Sequence, residues 1–206
     1  MARTPKITNE EILAAARQVF LEQGIGASTL AIAEKAGISE ASIFKRFRTK
    51  QALFLAAMGI AEMPQWVKVL MNQTPTAEIK SELTEICQQM LAFYQEVLPR
   101  VMMMMVQGNT PYPPQFPPQL PPPPVRDSQL LAQFLDRAIA QGHLRSIDSL
   151  TIGHMITGSI TNYVITKNVL SKLSFPLPFA KREPLEPEAF IHNLIETLWS
   201  GIAPNR

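Results

Sequence analysis

The feature that most restricts this chain is the punctuation of its first fifty residues, where hydroxyl residues and glycines recur at intervals suited to short helices. In NEEILAAARQVFLEQ, residues 9–23, Ile12, Leu13, Ala16, Val19 and Phe20 recur at helical spacing and make one buried stripe. Thr8 and Glu11 have capping-box spacing ahead of it, and Gly24 supplies the turn that ends it. Ser28 or Thr29 can start a second helix, which turns Leu30, Ile32, Ala33 and Ala36 inward and stops at Gly37. Ser39 starts a third, with Ile43 and Phe47 on its inner face, and Thr49 a fourth that begins at Lys50. Two helices of one to two turns joined through Ala36-Gly37-Ile38-Ser39 match the helix-turn-helix unit, whose second helix is displayed outward.

The displayed side of that second helix offers Glu40, Ala41, Ser42, Lys45 and Arg46. Small Ala41 and Ser42 permit close approach to a groove, while Lys45, Arg46 and Lys50 can neutralise flanking phosphates. The 206 residues carry a formal charge of only +2, yet residues 1–50 hold eight Lys or Arg against five Glu, a net +3, and the remainder a net −1. This asymmetry points to an anionic partner for the N-terminal part and another task for the rest. A solvated basic face is the competing reading.

From about residue 8 to 55 the chain resembles the tetracycline-repressor (TetR/AcrR) family of bacterial transcriptional regulators, in ILAAARQVFLEQG, IAEKAGIS, EASIFKRF and TKQALF. The resemblance implies an all-α homodimer with a three-helix helix-turn-helix head, residues 1–49, and a larger helical ligand-binding and dimerisation domain, residues 50–206. It implies that Glu40, Ala41 and Ser42 meet base edges, with Phe44, Lys45 and Arg46 toward the DNA backbone. Lys50 would clamp a phosphate and Thr29 would touch the backbone near the start of the second helix. Phe44 stands where the family usually has Tyr, Arg46 at a common His position, and Glu40 where basic or neutral residues are frequent. An acidic Glu40 could accept from cytosine N4. Between Gly24 and Ile32 the chain is one residue shorter than the usual pattern.

Downstream, 46% hydrophobic residues suffice for a second core. The fourth helix is expected to run to residue 62, before Pro64. Thr76 is expected to open a long helix through Ile79, Leu83, Ile86, Met90, Phe93 and Val97, and Pro99 to sit in the first turn of another, residues 101–106, apolar all round and buried. Its four successive Met residues allow two readings: ordinary core, or a deformable wall for apolar ligands in which Met102 and Met105 join Trp66, Phe93 and Tyr94. No inward Asp or Arg clamp is identifiable. PYPPQFPPQLPPPP, residues 111–124, with nine prolines, is expected to be an extended loop. Further helices follow from Val125 to Gly142, over 149–170 and over 187–200. The resemblance implies a dimer seam built from the last two.

Other function classes find little support. Cys87 is the single cysteine, which excludes an internal disulfide and favours a reducing compartment. Glu10 and Glu11 interrupt any signal-peptide core, and the apolar run 150–170 is broken by His154, Asn162 and Lys167, so a cytoplasmic protein with no membrane partner is expected. His143, His154 and His192 lack metal-site spacing, so neither a catalytic residue, a metal nor a cofactor is expected. The expected function is sequence-specific DNA-binding transcriptional regulation: a repressor released from a double-stranded operator by a small, apolar or amphipathic effector. The alternative is an all-α small-molecule-binding protein or enzyme without specific DNA binding. Packaging of DNA without sequence preference would call for more charge than +3.

Overall fold

A computed structural model describes residues 7–59, 63–106, 125–169 and 185–203. Among them the fold is all-α, with α1 (Asn9–Gln23), α2 (Thr29–Ala36), α3 (Glu40–Phe47), α4 (Lys50–Met58), α5 (Gln65–Asn72), α6 (Ile79–Val106), α7 (Val125–Ala140), α8 (Ser149–Val164) and α9 (Pro187–Ile202). The described chain divides into two compact units, residues 7–59 with 100–106 and residues 63–99 with 125–169 and 185–203.

Local chemistry fixes the helix ends of the first unit. At α1 the Thr8 hydroxyl accepts from the Glu11 N–H at 3.2 Å while the Glu11 carboxylate accepts from the Thr8 N–H at 2.7 Å. These bonds hold the Glu11 carboxyl below its usual range. Gly37 ends α2 in the left-handed region at φ 67°, and Gly59 ends α4 at φ 78°. The expected run of the fourth helix to residue 62 is therefore corrected: Gly59, not Pro64, is the stop. Ile12, Phe20, Ile32, Ile43, Leu53 and Phe54 are fully buried in one core, in which Phe20 meets Phe54 edge-on at 5.1 Å. The last carbonyls of α4 are taken by arginines, Ala57 O by Arg17 Nε at 2.8 Å and Met58 O by Arg100 Nη1 at 3.0 Å. Helix α4 thus shares the core of the first three.

In the second unit Trp66 and Leu70 of α5, Leu83, Met90 and Tyr94 of α6, Leu131 and Phe134 of α7, Ile156 and Ile160 of α8 and Ile195 of α9 share a second core. One correction concerns α6, a single helix that passes through Pro99 where two were expected. Proline removes one N–H from the ladder, and burial of Val97 and Val101 on either side favours continuation over a break. The helix starts at Ile79 rather than Thr76, whose hydroxyl instead accepts from the Glu78 N–H at 3.2 Å in the preceding turn. The expected burial of residues 101–106 is met by Val101, whereas Met103 and Met105 are 50% and 56% exposed. The helix from 149 changes to a π-helical stretch at Ile165–Val169. Gly153 is there for contact: a Cβ would stand 2.4 Å from Ser128 O of α7. The proline-rich segment 111–124 lies outside the described residues.

Candidate functional site

Local side-chain bonds organise the helix-turn-helix. Ser28, rather than Thr29, caps α2, its Oγ accepting from the Leu30 N–H at 3.1 Å. Thr29 becomes the first helical residue, and its hydroxyl bonds to Glu40 Oε1 across to α3. The carboxylate of Glu40 is thereby held against α2 with its second oxygen uncommitted to Thr29. Ser39 caps α3 by accepting from the Ser42 N–H at 3.2 Å, and the Ser39 and Ser42 hydroxyls share a 2.8 Å bond.

The rest of α3 divides sharply by face. Ile43 is fully buried, whereas Ala41, Phe44 and Lys45 are exposed, Phe44 at 38%. An eight-residue helix is about 12 Å long at ~1.5 Å per residue, short enough to lie in a major groove. Arg46 is half-buried and engaged: its Nη1 donates to Ile7 O at 2.8 Å and to Asn9 Oδ1 at 3.2 Å. It ties α3 to the start of α1. Arg48 takes φ 60°, a strained value for a residue with a Cβ, and so turns the chain into α4. Thr49 then caps α4 by accepting from the Ala52 N–H at 3.0 Å, which leaves Lys50 as the first residue of that helix. An anion there would meet an ammonium at a helix start, the end of a helix that favours negative charge.

The second unit holds a charged group absent from the sequence expectation. Asp127, in the first turn of α7, is fully buried. Its Oδ2 accepts from the Tyr94 hydroxyl at 2.6 Å, and its Oδ1 faces the Arg126 guanidinium, with Nε and Nη2 both at 2.7 Å. Burial pushes the Asp127 carboxyl above the usual range, against the opposing pull of Arg126 and Tyr94. A sequence signal existed: Asp127 precedes Leu130, Leu131 and Phe134 at three, four and seven residues, a position on the buried stripe. Trp66 meets Phe93 at 6.3 Å between ring centroids, and Phe93 meets Tyr94 at 6.1 Å. These three expected ligand contacts are therefore neighbours. Met102, half-buried, and Met105, exposed, fall in the first unit.

Burial pushes the Cys87 thiol up to about 12, which leaves almost no thiolate at neutral pH. Among the described residues no group of three His, Cys, Asp or Glu could hold a metal ion, and no helix is long and apolar enough to cross a membrane.

Residues 12–57 match the family described as bacterial regulatory proteins, tetR family. The HTH-type transcriptional repressor BepR of Brucella suis biovar 1 (strain 1330) is 46% identical over 59 residues, 28% of this chain and 28% of that protein. The HTH-type transcriptional regulator YvkB of Bacillus subtilis (strain 168) is 48% identical over 53 residues, 25% of this chain and 28% of that one. The chain thus matches 28% of the length of these curated relatives. The structure of SmeT, the repressor of the Stenotrophomonas maltophilia multidrug efflux pump SmeDEF, superposes with a TM-score of 0.60 at 16% identity, covering 97% of this chain and 92% of that one. At that identity the likeness shows a shared fold.

Proposed function

We propose that this chain, whose residues 12–57 match the family of bacterial regulatory proteins described as tetR, is a sequence-specific DNA-binding transcriptional repressor. A small apolar or amphipathic ligand releases it from its operator. The observation that carries this reading is the two-faced α3: Ile43 fully buried, Ala41, Phe44 and Lys45 outside, and the start capped by Ser39. In this reading α3 enters the major groove. Lys45 and Lys50 neutralise phosphates, Ala41 and Phe44 make apolar contact with base edges, and Ser42 hydrogen-bonds there. Thr29 acts through Glu40, steadying a carboxylate that accepts from cytosine N4. Arg46, fastened by Ile7 and Asn9, fixes the height of α3 while its remaining N–H groups reach the backbone.

The protein acts as a cytoplasmic homodimer without catalytic activity, and its two heads occupy half-sites about 34 Å apart on a near-palindromic operator. The effector binds the second unit, where Trp66, Phe93 and Tyr94 adjoin in one core; Met102 and Met105 add nothing to this reading. Release requires that the ligand bind the conformer with misplaced heads more tightly than the DNA-bound one.

Footprinting on the DNA upstream of the protein's own gene tests the proposal. A protected inverted repeat is expected. Lys50→Ala should weaken binding to every duplex and reduce the salt slope by about one, whereas Ser42→Ala should cost about tenfold on the operator and little on random DNA. Absence of any protected repeat, or equal effects of both changes on both DNAs, would sink it.

A further inference from the structure

Of the four phenylalanines of the head, three serve its core: Phe20 and Phe54 are fully buried, and Phe47 packs against the same cluster. Phe44 does not, and stands exposed on α3. Helical spacing defines its company. Glu40 lies one turn before it, Ala41 three residues before it and Lys45 beside it, while Ile43 turns into the core. Residues 40–50 carry four Lys or Arg against one Glu, so the ring sits in a cationic setting. An apolar ring among cations suits a surface with anionic walls and an apolar spot between them. Phosphate itself gains nothing from a ring that has no donor.

The major groove of a DNA duplex is such a surface. Its walls are phosphates, and the one methyl group on its floor is the thymine 5-methyl. The start of α3 carries a complementary polar group. Glu40 accepts the Thr29 hydroxyl proton on Oε1, which orients the carboxylate and leaves its second oxygen, uncommitted to Thr29, to accept from an amino group such as cytosine N4. Four residues of helix advance ~6 Å, and successive bases of one strand are ~3.4 Å apart. Acceptor and ring therefore address bases about two steps apart.

We propose that Phe44 selects a thymine by packing on its 5-methyl group, and that each operator half-site holds this thymine within about two base steps of the cytosine met by Glu40. The inference rests on the reading of α3 as the helix that enters the major groove, and it names the base that the apolar part of that helix selects. Ala41, the other exposed apolar residue of the face, carries only a methyl and lets the helix come close enough for the ring to reach. Thymine is singled out because the other three bases offer no methyl in that groove.

The test uses the full chain and starts from a random duplex pool, so that no operator is assumed. Duplexes retained through repeated selection should share an inverted repeat whose halves hold a thymine and a cytosine at that separation. Each thymine of the repeat is then replaced, symmetrically in both halves, by deoxyuridine, which lacks the 5-methyl and pairs identically. At one position the replacement should weaken binding about fifteenfold, or about fourfold per half-site, the worth of one buried methyl. Phe44→Ala should bind the thymine and deoxyuridine duplexes equally. Phe44→Leu, which keeps an apolar side chain, should keep part of the preference, and it serves if the alanine variant does not fold. A selected repeat in which every deoxyuridine is neutral overturns the inference alone and leaves the repressor reading standing. Discrimination that survives Phe44→Ala also overturns it, because another residue would then hold the methyl. So does unchanged affinity of Phe44→Ala for the selected duplex, which would assign the ring to a partner other than DNA. Failure to retain any sequence from the pool counts against the repressor reading and takes the inference with it.

Discussion

The head and the larger unit solve the burial of polar groups in opposite ways. In the head, the hydroxyls of Thr8, Ser28, Ser39 and Thr49 all sit at helix starts and all accept from a backbone N–H. Among its described residues no buried side-chain polar atom lacks a partner. The larger unit buries an ion pair and leaves hydroxyls and an indole N–H unanswered. On the proposed function, satisfied local bonds suit a part that holds one shape against a duplex, and bonding capacity in reserve suits a part that accepts a guest.

Substitutions, in falling order of effect, can break or sharpen that contrast. Phe20→Ala should cost the head about 4 kcal/mol through a cavity facing Phe54 and abolish DNA binding. Both tryptophans, Trp66 and Trp199, belong to the larger unit, so the indole emission should keep its unfolding midpoint. A matching drop in that midpoint would show that the two units do not melt separately. Asp127→Ala should cost the larger unit about 3 kcal/mol in urea unfolding, because it strands the Arg126 guanidinium and the Tyr94 hydroxyl in the interior. A cost near zero would mean that the ion pair is not a keystone of that core.

The same two regions should diverge with pH. Asp127 binds its proton more tightly folded than unfolded, so its share of stability is present at acid pH and is lost as pH rises from the ordinary value of 3.8 through the raised one. Glu11, in the capping box, behaves oppositely: its share is present above the ordinary 4.5 and is lost as pH falls through the lowered value. Comparing wild type with Asp127→Asn isolates the first trend and with Glu11→Gln the second, each read as the difference in unfolding midpoint.

Gly153→Ala should cost about 2 kcal/mol, since its Cβ would meet backbone rather than a movable side chain. Gly158→Ala, with nothing within 4 Å, is the control and should be neutral or stabilising by about 1 kcal/mol. Ser39→Ala, the smallest effect, should cost about 1 kcal/mol of head stability and weaken operator binding with it.

The head was legible from sequence because its signals act over three or four residues. Thr8 with Glu11, Gly37, Ser39 and Thr49 each mark their helix end without help from the rest of the chain. What escaped depends on distant partners. Pro99 reads as a helix start, yet the helix continues past it with Val97 and Val101 buried. Asp127 reads as a polar residue in a first turn until Tyr94, thirty-three positions away, gives its carboxylate a buried partner. Arg46 reads as a free cation on a displayed face, and its engagement with Ile7 and Asn9 spans almost the whole head. Met103 and Met105 fit a buried helix by composition yet are exposed, because apolar composition does not say which turn of a helix the fold will cover.

The Arg46 contacts carry a practical consequence for anyone handling the protein. The Arg46 guanidinium of α3 is moored to the Ile7 carbonyl just ahead of α1, so that stretch of backbone is mechanically tied to the edge proposed to meet DNA. Affinity tags, cleavage scars or protease trimming that disturb Ile7 would be felt in α3.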